Sequence, residues 1–186
     1  MNGLNNMEAT IKPIREYYKL AGPAFTIQMP VGDNAVVLKA LKEAKPGDVL
    51  IIDAKGDRYR AVAGDFIIGM AKTLGIAGIV MDGVIRDLNG TKELDYPVFC
   101  KGTTVAASGK LGWGSIGTPI SCGGVSVCSG DWVAGDADGV VVIPKDKKNN
   151  ILKSSLEKLA SDQDRETKVS GNHKEIVKYL KNFTIK

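Results

Sequence analysis

Asp65, Arg86 and Asp87 stand at the two ends of one apolar stretch, Ala63–Asp87, and are the residues here whose types suit chemistry. A carboxylate can move a proton or take a hard cation, and a guanidinium is a fixed fork for an anion. The stretch reads as loop, helix, strand, loop. A Gly64-Asp65 turn opens an apolar helix ending near Gly75, and a short strand, Gly78–Met81, leads to Asp82-Gly83 and then to Arg86-Asp87. The three charges therefore flank two buried elements at their loop ends, where α/β proteins bind ligands. Spacing alone leaves a structural alternative open: Asp65 as a helix cap, and Arg86-Asp87 as an ordinary surface pair.

The elements that must position these residues follow from periodicity. Residues 1–22 read as a polar, irregular arm with Ile11–Ile14 as an extended anchor, and Gly22-Pro23 as punctuation. Ala24–Gln28 reads as a first strand. Gly32-Asp33-Asn34 offers N-cap chemistry for a helix over 35–44 with Val36, Val37, Ala40 and Leu41 as its apolar stripe. Val49–Asp53 is nearly all apolar, as a central strand covered on both faces must be. Arg60–Ala63 leads into the candidate stretch, and Tyr96–Cys100 reads as another buried strand. Short apolar runs split by glycines from Gly102 to Ile143 indicate antiparallel or swivelling β-structure rather than further βαβ units, closed by Pro144. A helix over 146–168 carries Ile151, Leu152, Leu156 and Leu159, and 175–180 forms a further short helix. The fold class is α/β with a β-rich second half.

Bulk properties narrow the function classes. The chain has 186 residues, 44% of them hydrophobic, enough for one well-buried domain. No apolar run approaches the roughly 18 residues of a membrane span. The first residues lack the basic and apolar regions of a secretory signal, and Cys100, Cys122 and Cys128 show no metal-type spacing. Together these predict reduced thiols in a cytoplasmic protein. Eleven of the 25 basic and six of the 21 acidic residues lie in Lys145–Lys186, so the rest holds fourteen against fifteen. A solvated helical face accounts for the basic tail. Nucleic acid is not expected as a partner, because no RNA-binding aromatic signature accompanies the lysines.

Asp65, twenty intervening residues and Arg86-Asp87 resemble the D-x20-R-D motif of the RraA-like family. Further matching segments are Gly22-Pro23-Ala24, Pro30–Asn34, Lys45–Val49, and Gly130-Asp131 through Pro144, so the resemblance covers roughly 11–170. It implies a single domain, a β/β/α sandwich related to phosphohistidine-swivelling domains, with a C-terminal helix, assembled as a trimer or hexamer with active sites between subunits. It also implies a divalent-metal-dependent lyase that releases pyruvate from an α-keto acid. The reaction is retro-aldol cleavage of 4-hydroxy-4-methyl-2-oxoglutarate-like substrates, decarboxylation of oxaloacetate, or both. Carried over residue by residue, Asp87 ligates Mg²⁺ or Mn²⁺, and Arg86 contacts the substrate. The backbone of Gly64, Asp65, Phe66 and Ile67 holds the substrate carboxylate, and Asp65 acts through water. Physical chemistry agrees: cleavage leaves an enolate that needs positive charge beside it, and helix N-terminal amides favour anions.

Two departures from the family pattern stand out. Where aldolases of this family carry an acid three residues after the final Asp, this chain has Gly90, and Glu93 lies three places late. The helical segment that precedes the Ile-Lys-Pro-like stretch is replaced by residues 1–10. Glu166 is the candidate for an acid supplied by a neighbouring subunit's C-terminal helix, which makes it, with Asp65, a candidate outer-shell group. Asp82 reads as a structural carboxylate, Lys72 as a helix-surface lysine rather than a Schiff base, and Trp113 and Trp132 as packing or interface residues. His173, the only histidine, lies in the polar tail. The rival reading is a non-catalytic RraA-type regulator of ribonuclease activity.

Overall fold

A computed structural model describes residues 5–182, which belong to two compact units, Met1–Lys145 and Asp146–Lys186. The first unit is mixed α/β, built on a sheet whose centre is Val49–Asp53, every residue of which is buried. That strand runs parallel to Leu20–Gln28 on one side and to Gly78–Met81 on the other. Val98–Cys100 continues the sheet in parallel, and Lys12–Pro13 closes that edge antiparallel. On the far side, Trp132–Asp136 and Gly139–Ile143 form an antiparallel hairpin against Leu20–Gln28.

Successive residues of the central strand face opposite sides, so its apolar run feeds two cores at once. Leu50 and Ile52 pack with Val36, Val37, Ala40 and Leu41 of helix α1 (Ala35–Glu43) and with Ile67, Ile68 and Ala71 of helix α2 (Asp65–Thr73). Val49 and Ile51 pack on the other face with Met7, Ile11, Phe99 and the hairpin Ile120–Cys122/Val125–Val127. The helices thus cover one face and β-structure covers the other.

Two sequence expectations for the first unit need correction. The first strand begins at Leu20 and runs through Gly22-Pro23, which does not punctuate. It persists because it changes neighbours there. Residues 20–23 pair with 132–135, and 24–28 pair with Val49–Asp53. Pro23, without an N–H, sits at that changeover. The arm is not simply polar and irregular, since Met7, Ile11 and Tyr18 are buried and Asn6 bridges to Val141. Its few apolar residues are spaced too widely to register as a periodic pattern. The expected N-cap chemistry of Gly32-Asp33-Asn34 is present, supplied by Asp33 rather than by Asn34 at the N-cap itself. Asp33 Oδ1 accepts the Ala35 N–H at 2.9 Å, while Asn34 Nδ2 donates to the Val62 carbonyl at 2.8 Å.

In the second unit, a 3₁₀ turn (Lys145–Lys147) precedes helix α4 (Lys148–Val169), and α5 spans His173–Asn182. The main helix thus starts at Lys148 rather than 146, and the last is longer than expected. Gly171, at φ 74°, occupies the left-handed conformation between them. Neither helix has a buried residue, and Leu152, Leu156 and Leu159 are more than half exposed. Lys158, Asp162 and Arg165, with the pair Lys168–Asp164, lace the surface of α4.

Candidate active site

The strand Arg60–Ala63 pairs in parallel with a two-residue strand, Val84–Ile85, that periodicity did not reveal. The Arg86 N–H donates to the Ala63 carbonyl at 3.0 Å. Gly64-Asp65 and Arg86-Asp87 therefore leave adjacent strand ends side by side, and the twenty residues between Asp65 and Arg86 hold the rest of α2, Gly78–Met81 and Val84–Ile85 itself. This small sheet is fixed from outside. Ser108 Oγ donates to the Ala61 carbonyl at 2.7 Å, and Asn34 holds Val62. Asp33 in turn receives the Gly112 N–H at 3.1 Å and that of Leu111. Ser108 and Asn34 are positioning residues to which the sequence assigned no such role, because their partners are main-chain carbonyls.

Gly64 occupies the N-cap of α2, and its carbonyl accepts the Ile68 N–H at 3.1 Å. The opening N–H groups of a helix lack intrahelical partners, so the dipole and donors at 64–67 face whatever lies before them. Asp65 Oδ1 takes one of these, the Phe66 N–H, at 2.7 Å. Phe66 is exposed and Ile67 is buried, so only the former presents its side chain outward.

Asp87 is a non-glycine residue in the left-handed region, φ 57° and ψ 46°, a conformation that costs free energy and recurs at functional sites. It stands at the N-cap of α3 (Leu88–Glu93), yet its side chain caps nothing. Its carbonyl is clamped by the Thr91 N–H at 2.9 Å and Thr91 Oγ1 at 3.0 Å, which leaves the carboxylate to point elsewhere. Arg86 Nε lies 3.4 Å from Asp87 Oδ2, and both side chains are partly open to solvent. Thr91, fully buried, was not singled out from sequence. Its place four residues after Asp87 is the signal that marks it.

Glycine makes room for these acids. Gly64 has φ −118°, which any residue adopts, but a Cβ there would collide with Asp87 Oδ2 and lie 3.2 Å from Arg86 Nε. Gly90 lies within α3, and a Cβ there would collide with Asp65 Oδ2. The Asp65 carboxylate thus borders the position where the family pattern carries an acid.

The donor set suits a hard divalent ion more than a thiophilic one: oxygen only, with one partly exposed carboxylate, Asp87, free of capping duty. Among the described residues no three His, Cys, Asp or Glu cluster as a full ligand set. Ions such as Mg²⁺ keep several waters and are held by one or two carboxylates, so Asp87 is the residue here whose chemistry could hold one.

Other candidates fall outside this constellation. Lys72 Nζ donates to the Leu94 carbonyl at 2.5 Å, tying α2 to the end of α3. Asp82 is buried, its carboxyl pushed up by burial, and its Oδ1 accepts the Ala54 N–H at 2.6 Å. Cys100 and Cys122 are buried free thiols, and Cys128 is an exposed one. Trp113 is exposed. Glu166 belongs to α4 in the second unit, where its carbonyl accepts the Ser170 N–H, and His173 opens α5.

Comparison with known proteins agrees with this architecture. A protein of Halalkalibacterium halodurans named "Putative 4-hydroxy-4-methyl-2-oxoglutarate aldolase" is 56% identical over 180 residues, covering 97% of this chain and 86% of the relative. Among solved structures, an unusual member of the RNase ES inhibitor RraA protein family from Streptomyces coelicolor has a TM-score of 0.79. It is 33% identical, with 87% of this chain and 84% of that one covered. The RNA-processing inhibitor RraA from Thermus thermophilis has a TM-score of 0.70 at 29% identity, covering 75% of this chain and 85% of its own. The family model for RraA-like proteins, described as Aldolase/RraA, matches residues 1–142, which contain every element of the small sheet and both charged strand ends. The chain belongs to the RraA-like family.

Proposed function

We propose that this protein is a divalent-metal-dependent lyase that releases pyruvate from α-keto acids. The observation that carries the reading is the convergence of Asp65, Arg86 and Asp87 at the start of α2, twenty residues apart in sequence and side by side in space. The aldolase name of a relative at 56% identity supports a carbon–carbon lyase. Asp87 would hold Mg²⁺ or Mn²⁺, with Asp65 reaching it through water. When bound, such a cation supplies positive charge beside the keto and carboxylate oxygens of the pyruvyl half.

This chain's own groups do the rest. Of the N–H groups of Gly64, Asp65, Phe66 and Ile67, those not taken by Asp65 Oδ1 receive the substrate carboxylate at the positive end of α2, and that of Phe66 joins them where Asp65 turns to water. Arg86 places its guanidinium where the keto oxygen becomes an enolate oxygen. Asp65, acting through water, takes the proton of the 4-hydroxyl. The bond between C3 and C4 then breaks, its electron pair passing into the pyruvate enolate and C4 becoming a carbonyl. Return of a proton to C3 gives pyruvate. With oxaloacetate the departing group is carbon dioxide and no hydroxyl proton is removed. A trimer or hexamer, a fold of the swivelling phosphohistidine kind, a cytoplasmic setting and an outer-shell contribution from Glu166 complete the reading.

The test is pyruvate release from 4-hydroxy-4-methyl-2-oxoglutarate and from oxaloacetate, with Mg²⁺ or Mn²⁺ and with chelator. Chelator abolishes turnover on this reading, and Asp87→Ala lowers it at least about 100-fold. Equal rates in every arm, corrected for the metal-only background, would sink it. A second reading rests on the two RraA neighbours, whose names describe inhibitors of RNA processing and of a ribonuclease. It predicts slower cleavage by a bound ribonuclease and no pyruvate release.

A further inference from the structure

The two strands that carry the charged ends are fed from the main sheet at one joint. Val49–Asp53 runs through the loop 54–59 into Arg60–Ala63, and Gly78–Met81 runs through Asp82-Gly83 into Val84–Ile85. Whatever fixes that loop against Asp82-Gly83 therefore fixes where Gly64-Asp65 arrives relative to Arg86-Asp87. Two buried carboxylates at the ends of neighbouring parallel strands hold the loop by consecutive N–H groups. Asp53 Oδ1 accepts that of Lys55 at 3.0 Å, a bond within one path, where Lys55 takes the left-handed conformation at φ 59°. Asp82 Oδ1 accepts that of Ala54 at 2.6 Å, and this bond crosses from one path to the other.

Gly83 closes the same joint. Its φ lies outside the left-handed region, so conformation does not call for glycine, but a Cβ there would lie 2.8 Å from Ala54 Cβ and 2.8 Å from Val62 Cγ2. Neither neighbour is the loose end of a long side chain. Ala54 Cβ is fixed to the loop backbone, and Val62 is fully buried within Arg60–Ala63 and stiff at χ1. The Gly83 carbonyl accepts the Lys101 N–H at 2.8 Å, which ties this segment to the chain leaving Val98–Cys100. We propose that Asp82 is a positioning residue for the candidate active site, setting with Gly83 the register between the strand ends that carry Gly64-Asp65 and Arg86-Asp87. The bond from the Arg86 N–H to the Ala63 carbonyl, 3.0 Å long, joins those ends and reports that register. The placement stands on the contacts alone, whereas its effect on turnover rests on the lyase reading above.

Hydrogen exchange of the full chain, resolved by residue, tests the placement. Asp82→Ala speeds exchange of the Arg86 N–H about tenfold or more, and leaves that of Ile79, which donates to Pro97 in the main sheet, within about threefold. Asp82→Asn, which keeps an acceptor for Ala54, returns the Arg86 rate to within about threefold of the unaltered protein. Gly83→Ala removes no hydrogen-bonding group and also speeds Arg86, so either variant decides the matter where the other does not fold. An unchanged Arg86 rate, a rise shared equally with Ile79, or no recovery in Asp82→Asn would overturn the placement. With oxaloacetate and Mg²⁺, Asp82→Ala lowers kcat about tenfold or more, and Asp82→Asn restores most of it. Faster Arg86 exchange with kcat unchanged would overturn the catalytic part alone. Faster exchange with no turnover in the unaltered protein would leave the placement intact and remove the lyase reading instead.

Discussion

Asp87 carries the least comfortable backbone of the residues at the site, and that discomfort is informative. A left-handed aspartate whose side chain does not cap its helix is held by its surroundings, here by two bonds from Thr91 to its carbonyl. Gly64→Ala should expel the Asp87 carboxylate while leaving an ordinary extended backbone, so activity falls by roughly 10- to 100-fold with the circular-dichroism spectrum unchanged. An unaltered rate would show that Asp87 is not held by this contact. Arg86→Lys keeps a positive charge but loses the rigid fork. If pyruvate release depends on that fork, its kcat falls roughly tenfold or more. At the thiols, burial pushes Cys100 and Cys122 above the ordinary range, whereas Cys128 is exposed. A disulfide reagent should modify one thiol per native chain and three after denaturation.

At the scale of elements, the small sheet Arg60–Ala63, Val84–Ile85 and Ala106–Ala107 registers the site, and side chains from elsewhere hold it. Asn34→Ala removes the donor to the buried Val62 carbonyl and costs about 1–3 kcal/mol, read as a lowered denaturation midpoint. Asp82 follows the carboxyl end of Gly78–Met81, and its burial favours the protonated carboxyl. The folded chain therefore holds that proton more tightly than the unfolded chain. The resulting stability is present at acid pH and is lost as pH rises through the raised value. Asp82→Asn keeps an acceptor for the Ala54 N–H and cannot ionise, so it gains on the unaltered protein at pH 7 relative to pH 4. Parallel stability–pH curves for the two proteins would refute this.

Across the whole molecule, both apolar clusters lie within residues 7–142, and helices α4 and α5 bury none of their own residues. A chain ending at Lys145 should therefore keep a cooperative thermal transition, measured by calorimetry, with a heat-capacity change set by its own two clusters. Loss of cooperativity would mean that the first unit is not complete in itself.

What the sequence determined by itself was local and periodic. The all-apolar Val49–Asp53, the stripe of α1, the helix opened by Gly64-Asp65 and the long terminal helix each announce themselves through spacing that burial or a helix face imposes. The pairing of Asp65 with Arg86-Asp87 was visible only as a motif, since nothing in twenty intervening residues states that the two ends meet. Tertiary structure decided that, through the parallel register of Ala61 with Val84 and Ala63 with Ile85, two strands too short to leave a pattern. It also decided the passage of the first strand through Gly22-Pro23, because a strand that changes partners midway keeps its direction across a proline. Gly90 shows the difference most plainly: in sequence it is an absent acid, and in space it is a position beside the Asp65 carboxylate, 25 residues back in the chain.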